Sequence, residues 1–147
     1  MKIAVGADHR GFAHKHFIIN NLMKVGDKTI QWIDVGAFTA ERSDYPEFAH
    51  LVVQQILEKK ADYGVLLCGS GIGMAIAANR FKGIYAGLVW NEKVAKAAKE
   101  DDNSNVLVLP ADFVDANQSI QVIKSWLGAT FKDDLVYKKR LEMIDSF

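Results

Sequence analysis

Tyr63-Gly64-Val65-Leu66-Leu67-Cys68-Gly69-Ser70-Gly71-Ile72-Gly73 is the stretch that decides the fold. A short β-rich apolar run without clean alternation passes straight into a loop with glycine at three of five positions. That is the pattern of a strand buried on both faces that turns sharply into a helix. Similar runs lie at Lys2–Gly6, Ile30–Val35, Tyr85–Trp90 and Val106–Leu109. Helical spacing fills the gaps. Phe12, Phe17, Leu22 and Met23 mark one helix; Phe48, Leu51, Val52, Ile56 and Leu57 mark a second, with Pro46 near its start. Gly73–Arg80, Glu92–Glu100 and Ala116–Leu127 follow, and Lys138–Ile144 reads as a terminal helix. Strand–helix alternation predicts a parallel sheet with helices on both faces. Ligands of such sheets bind beyond the carboxyl ends of the strands, which directs attention to the loops expected there, Gly6–Gly11, Cys68–Gly73 and the region around Asp101–Asn105.

Composition narrows the function. With 147 residues and two prolines, and no Ser/Gly-rich stretch, the chain is expected to form a single domain over residues 1–147. Lys plus Arg (18) balances Asp plus Glu (18), which leaves no cationic excess for a nucleic acid or an anionic membrane. The uncharged stretch Tyr63–Asn79 is broken by glycines and is a poor transmembrane helix. Asp8, His9 and Arg10 interrupt any signal-peptide core, so a cytoplasmic location is expected. Cys68 is the only cysteine, which excludes an internal disulfide or a multi-Cys zinc site. His14 and His16 fall on different helix faces and, with His50, form no metal spacing; no metal is expected.

The loops exclude several chemistries. Gly6-Ala7-Asp8-His9-Arg10-Gly11 has half a P-loop's spacing, but Phe12 and Ala13 stand where Lys and Ser/Thr are needed. Asp8 beside His9 can bind hydroxyls, move protons or cap the next helix. After Cys68, Met74 spoils a dinucleotide fingerprint, and Cys68 itself stands where a nucleophile elbow needs glycine. The three glycines let a ligand approach the backbone and gather N–H groups into a nest for an oxyanion or phosphate. Cys68 sits at its lip, where a helix N-terminus can lower a thiol pKa from about 8.5. A lone cysteine ending a buried strand is equally a core residue.

Taken together, Asp8-His9-x-Gly11-Phe12, Glu41-Arg42-Ser43-Asp44-Tyr45-Pro46, Cys68-Gly69-Ser70-Gly71-Ile72-Gly73, Ala77-Ala78-Asn79-Arg80 and Asn103-Ser104-Asn105-Val106-Leu107 resemble the ribose-5-phosphate isomerase B family, which includes the galactose-6-phosphate isomerase subunits. The resemblance runs from Met1 to about Leu127. It implies a Rossmann-like three-layer α/β/α sandwich with a five-stranded parallel sheet. It implies a homodimer or dimer of dimers with shared active sites, a helix at about 138–145 reaching the partner, and no cofactor. The reaction implied is aldose–ketose isomerisation of a sugar phosphate through an enediolate, by default ribose 5-phosphate to ribulose 5-phosphate. Cys68 takes the role of base and Ser70 helps hold the enediolate; Asp8, His9, Gly69, Gly71, Ile72, Gly73, Tyr45, Asp102 and Arg140 are the expected substrate contacts. Val122–Leu127, with Trp126, is expected to bury area between subunits.

Three positions depart from the family pattern. Asp101 stands in place of the ring-opening His and is the catalytic candidate for that step; Pro110-Ala111-Asp112 replaces Gly-Ser-Arg; and Leu135-Val136-Tyr137-Lys138-Lys139-Arg140 keeps only Arg140 of Gly-Gly-Arg-His-x-x-Arg. A carboxylate about 4 Å from a phosphate oxygen is repelled by roughly 4 kcal/mol at an effective dielectric near 20, so Asp112 reads as hostile to phosphate. An isomerase for a tetrose or hexose phosphate, or a non-catalytic subunit that binds a sugar phosphate, are the alternatives these departures leave.

Overall fold

The computed structural model describes residues 1–147. Its sheet strands are β1 (Lys2–Ala7), β4 (Gln31–Asp34), β5 (Tyr63–Cys68), β6 (Ala86–Leu88) and β7 (Val106–Pro110). They lie in the order β4-β1-β5-β7-β6, and every pairing is parallel. Strand side chains alternate between two cores, which is why β5 and β7 read as unbroken apolar runs. Ile3, Val5, Leu67 and Leu109 face one core with Ile18, Ile123 and Trp126; Ala4, Leu66 and Val108 face the other with Val52, Val53 and Met74. The helices α1 (Phe12–Asn21), α4 (Glu92–Glu100) and α5 (Ala116–Gly128) therefore cover one face, and α2 (Tyr45–Leu57) and α3 (Ile72–Ala78) cover the other. The result is the expected three-layer sandwich. No helix is long and apolar enough to cross a membrane.

The chain order sets the functional crevice. From β1 the chain crosses to β4 on one side, and from β4 it returns to β5 on β1's other side. The helices leaving β1 and β5 thus diverge to opposite faces, which opens a cleft at the carboxyl ends of those two strands. Asp8-His9-Arg10 follows β1 and Cys68-Gly69-Ser70 follows β5, so both loops border it.

Several expectations need correction. An antiparallel hairpin of β2 (Lys24–Val25) and β3 (Lys28–Thr29) lies between α1 and β4, turning through Gly26-Asp27 with Gly26 at φ 57°. The terminal helix α6 (Leu135–Asp145) starts three residues before the expected 138, because Asp134 Oδ1 accepts from the N–H groups of Val136 and Tyr137. None of its residues is buried. Trp126 is not available to a partner: it is fully buried in its own chain, and its Nε1–H donates to Ser104 Oγ at 2.7 Å. Val122 and Ile123 are likewise fully buried.

Candidate active site

Cys68 ends the central strand of the sheet and is 4% exposed. The chain then turns through Gly71, whose φ of 76° only glycine adopts without strain, and enters α3 at Ile72. The backbone N–H groups of Met74 and Gly71 face the sulfur and favour the thiolate, as does the charge of Arg10. Burial works the other way, with Asp8 adding to it, and burial is the larger effect. The thiol pKa is raised, contrary to the lowering expected from the helix terminus alone.

The β1 loop is rigid for a local reason. Asp8 is almost wholly buried, and its Oδ1 accepts from the N–H groups of Arg10 at 2.9 Å and Gly11 at 3.1 Å. It closes its own turn and does not cap α1, whose N-cap is Gly11. His9 is held by Ser43: its N–H donates to Ser43 Oγ at 3.1 Å, and its Nδ1 accepts from the Ser43 N–H at 3.3 Å. With Nδ1 occupied as an acceptor, Nε2 carries the proton and offers a donor to a ligand. Ser43 stood in the sequence only as one residue of the Glu41–Pro46 motif, with no role of its own. Tyr45 packs across Gly73, where a β-carbon would lie 2.6–2.9 Å from its ring. Ser70 Oγ accepts from the Ile72 N–H at 3.3 Å, and the Ile72 side chain is exposed. Beside Gly69, Arg10 Nη2 pairs with Asp112 Oδ2, a contact between residues 102 apart that sequence reasoning missed.

Asp101, Asp102 and Arg140 stand elsewhere. The Asp101–Asn105 segment follows α4 and precedes β7, so it lies at the amino edge of the sheet, not at a strand's carboxyl end. Val106 pairs with Gly64 and Pro110 with Cys68, which puts the length of β7, about 13 Å, between the two edges. There Lys132 Nζ binds Asp101 Oδ1 at 2.7 Å. Partial burial pushes the carboxyl of Asp102 up, the Asp101 charge adds to this, and Arg140 opposes it. A cavity of about 330 Å³ opens alongside, lined by Tyr85, Asp102, Ser104, Leu141 and Ile144 among others. One chain therefore holds the expected site residues in two separate clusters, a thiol with a glycine loop at one edge and acid with cation at the other.

The family described as Ribose/Galactose Isomerase matches residues 3–144. The sequence is 35% identical to ribose-5-phosphate isomerase B of Escherichia coli (strain K12) over 97% of this chain and 93% of the relative. Among solved structures it superposes on a ribose 5-phosphate isomerase from Thermotoga maritima with a TM-score of 0.93 and 38% identity, over 99% of this chain and 98% of the other. It also superposes on type B ribose 5-phosphate isomerase from Trypanosoma brucei with a TM-score of 0.94 and 33% identity, over 99% and 97%.

Proposed function

The chain belongs to the ribose/galactose isomerase family and is an aldose–ketose sugar-phosphate isomerase, and on that premise we propose that it interconverts ribose 5-phosphate and ribulose 5-phosphate with Cys68 as the base. The observation that carries this is the only thiol of the chain, ending the central strand beneath the N–H groups of Gly71 and Met74. In the thiolate form Sγ removes the proton from C2 of the open-chain aldose, leaving an enediolate. The same proton returns to C1 as the hydroxyl proton of C2 passes to the oxygen on C1. The Gly69–Gly73 loop and Ser70 hold the oxygen charge that develops, each donor being worth about 3–4 kcal/mol. His9 Nε2–H and Asp8 bind substrate hydroxyls, and Tyr45 walls the cleft. No step calls for a cofactor, and a lone free thiol suits a reducing cytoplasm.

Asp101, Asp102 and Arg140 join this chemistry only when a second copy brings its amino edge to Cys68. This supports a homodimer, or a dimer of dimers, with two composite sites and with α6 reaching the partner. Unburied apolar side chains on α3 (Ile72, Ile76) and α6 (Leu135, Val136, Met143) offer the contact area. Within the acidic pair, Asp101 is engaged by Lys132, and Asp102 with its raised pKa is the better proton donor for opening a furanose ring. The engagement of Asp101 also favours a second reading, a tetrose phosphate that cannot cyclise and needs no such donor. Turnover of a panel of tetrose, pentose and hexose phosphates separates the two. For the shared site, inactive Cys68→Ala and Arg140→Ala chains are mixed, unfolded and refolded together. Mixed dimers then hold one intact site of two, and about a quarter of wild-type activity returns. No recovery, or full activity in a sedimenting monomer, refutes the shared site.

A further inference from the structure

We propose that Arg10 is the anion-gripping group of the Cys68 site and that Asp112 is a positioning residue for it, so that this carboxylate strengthens the hold on a sugar phosphate instead of repelling it. The proposal rests on the isomerase reading for its substrate and on the geometry around Gly69 for its residues. Arg10 comes from the loop after β1 and Asp112 from the loop after β7, and their ion pair spans the loop after β5. The guanidinium lies directly against Gly69: a β-carbon there would sit 2.5 Å from Arg10 Cζ and Nε, and 2.8 Å from Asp112 Oδ2.

Both ends of the pair start from fixed backbone. The Arg10 N–H is tied to Asp8 Oδ1 at 2.9 Å; the Asp112 N–H donates to Gly69 O at 3.0 Å and the Ala111 N–H to Cys68 O at 2.9 Å. A free arginine at such a rim spreads over many rotamers, and a carboxylate partner selects one. A guanidinium has five N–H donors, and one carboxylate takes two at most. Arg10 is 57% exposed, so the donors not used by Asp112 remain open to a ligand. The same charge reaches Cys68, where it favours the thiolate against Asp8.

Charge alone makes the opposite forecast, and this is what renders the idea testable. If Asp112 acted only as a negative charge, removing it would help an anion bind. If it positions Arg10, removing it loosens the grip.

Alkylation of Cys68 by iodoacetate, an anion, and by iodoacetamide, which is neutral, reads the difference on the full-length protein. Both reagents consume the same thiolate, so the ratio of their rates is independent of the thiol pKa and reports anion attraction. Asp112→Asn and Arg10→Met are each expected to lower that ratio about threefold to tenfold, and the double variant to fall no further than Arg10→Met. Inorganic phosphate protects the wild-type thiol and needs a several-fold higher concentration in Asp112→Asn. Arg10→Lys, the mildest change, keeps the charge without the fork and falls between; it serves as the folding control for the arginine position. KM for ribose 5-phosphate rises in Asp112→Asn more than kcat falls. A ratio that rises or stays unchanged in Asp112→Asn, or an equal effect of Asp112→Asn in the Arg10→Met background, overturns the proposal. A wild-type protein that turns over no sugar phosphate overturns the functional reading instead, while the alkylation ratio still decides the role of Asp112.

Discussion

Replacing Cys68 with alanine separates catalysis from folding, because the two costs differ in size and in kind. The side chain is 4% exposed and belongs to the core cluster of Ala4, Leu66, Met74 and Val108. Deleting one buried sulfur there forfeits about 1–1.5 kcal/mol of packing. With an unfolding entropy of about 2.1 cal/mol/K per residue, the chain has a total near 0.3 kcal/mol/K, and the melting temperature falls by about 3–5 °C. The fold survives that. Loss of the general base removes about 10²–10⁴ from kcat, equal to about 2.7–5.4 kcal/mol on the barrier. The assay follows ketose formation directly and, in parallel, solvent deuterium entering at the carbons of the carbonyl and its neighbour. Exchange disappears with turnover if the thiolate is what moves the proton. Cys68→Ser keeps the size and the contacts to the Gly71 and Met74 N–H groups, yet its hydroxyl is far too weak an acid to ionise near neutrality, so it is as inactive as alanine with a smaller loss of stability. Retention of more than about a tenth of wild-type kcat in either variant would refute the assignment of the base.

Gly11→Ala probes the opposite property: its β-carbon would meet Leu67 O at 2.6 Å and Leu67 C at 2.8 Å, backbone atoms that cannot swing aside. The expected result is a loss of about 2–4 kcal/mol in chemical denaturation, and an unchanged midpoint would contradict the tight packing of the β1 loop on β5. The raised Cys68 pKa means the thiolate is the minor form at neutral pH and gains population as pH rises through and beyond the ordinary thiol range. Iodoacetamide alkylation should therefore keep accelerating at pH values where a free thiol has reached its plateau, and an early plateau would show that the N–H groups outweigh burial.

The strand–helix alternation was legible because each β-strand of a doubly covered sheet must be apolar along its whole length, and that is a local property of the sequence. Cys68 and its glycines were legible for the same reason: a sharp turn from strand to helix demands residues that tolerate Gly71's φ of 76°. The helix Glu92–Glu100 was read to the residue, and in the structure Asn91 Oδ1 accepts from the Val94 N–H at its start. The short hairpin around Gly26-Asp27 was not, because two-residue strands rich in exposed lysine bury too little to leave a pattern. Trp126 and its neighbours showed that an apolar stripe does not say whether its own core or a partner will cover it. The place of Asp101–Asn105 was legible but misread: a segment that leaves a helix and feeds a parallel strand lies at the amino edge whatever the order of the strands. The pairing of Arg10 with Asp112, in contrast, depends on that order, which brings the loops after β1 and β7 to either side of β5. Local patterning fixes which residues leave water and where the chain turns; only the assembled sheet decides which distant loops meet, because that choice is made by packing summed over the whole chain.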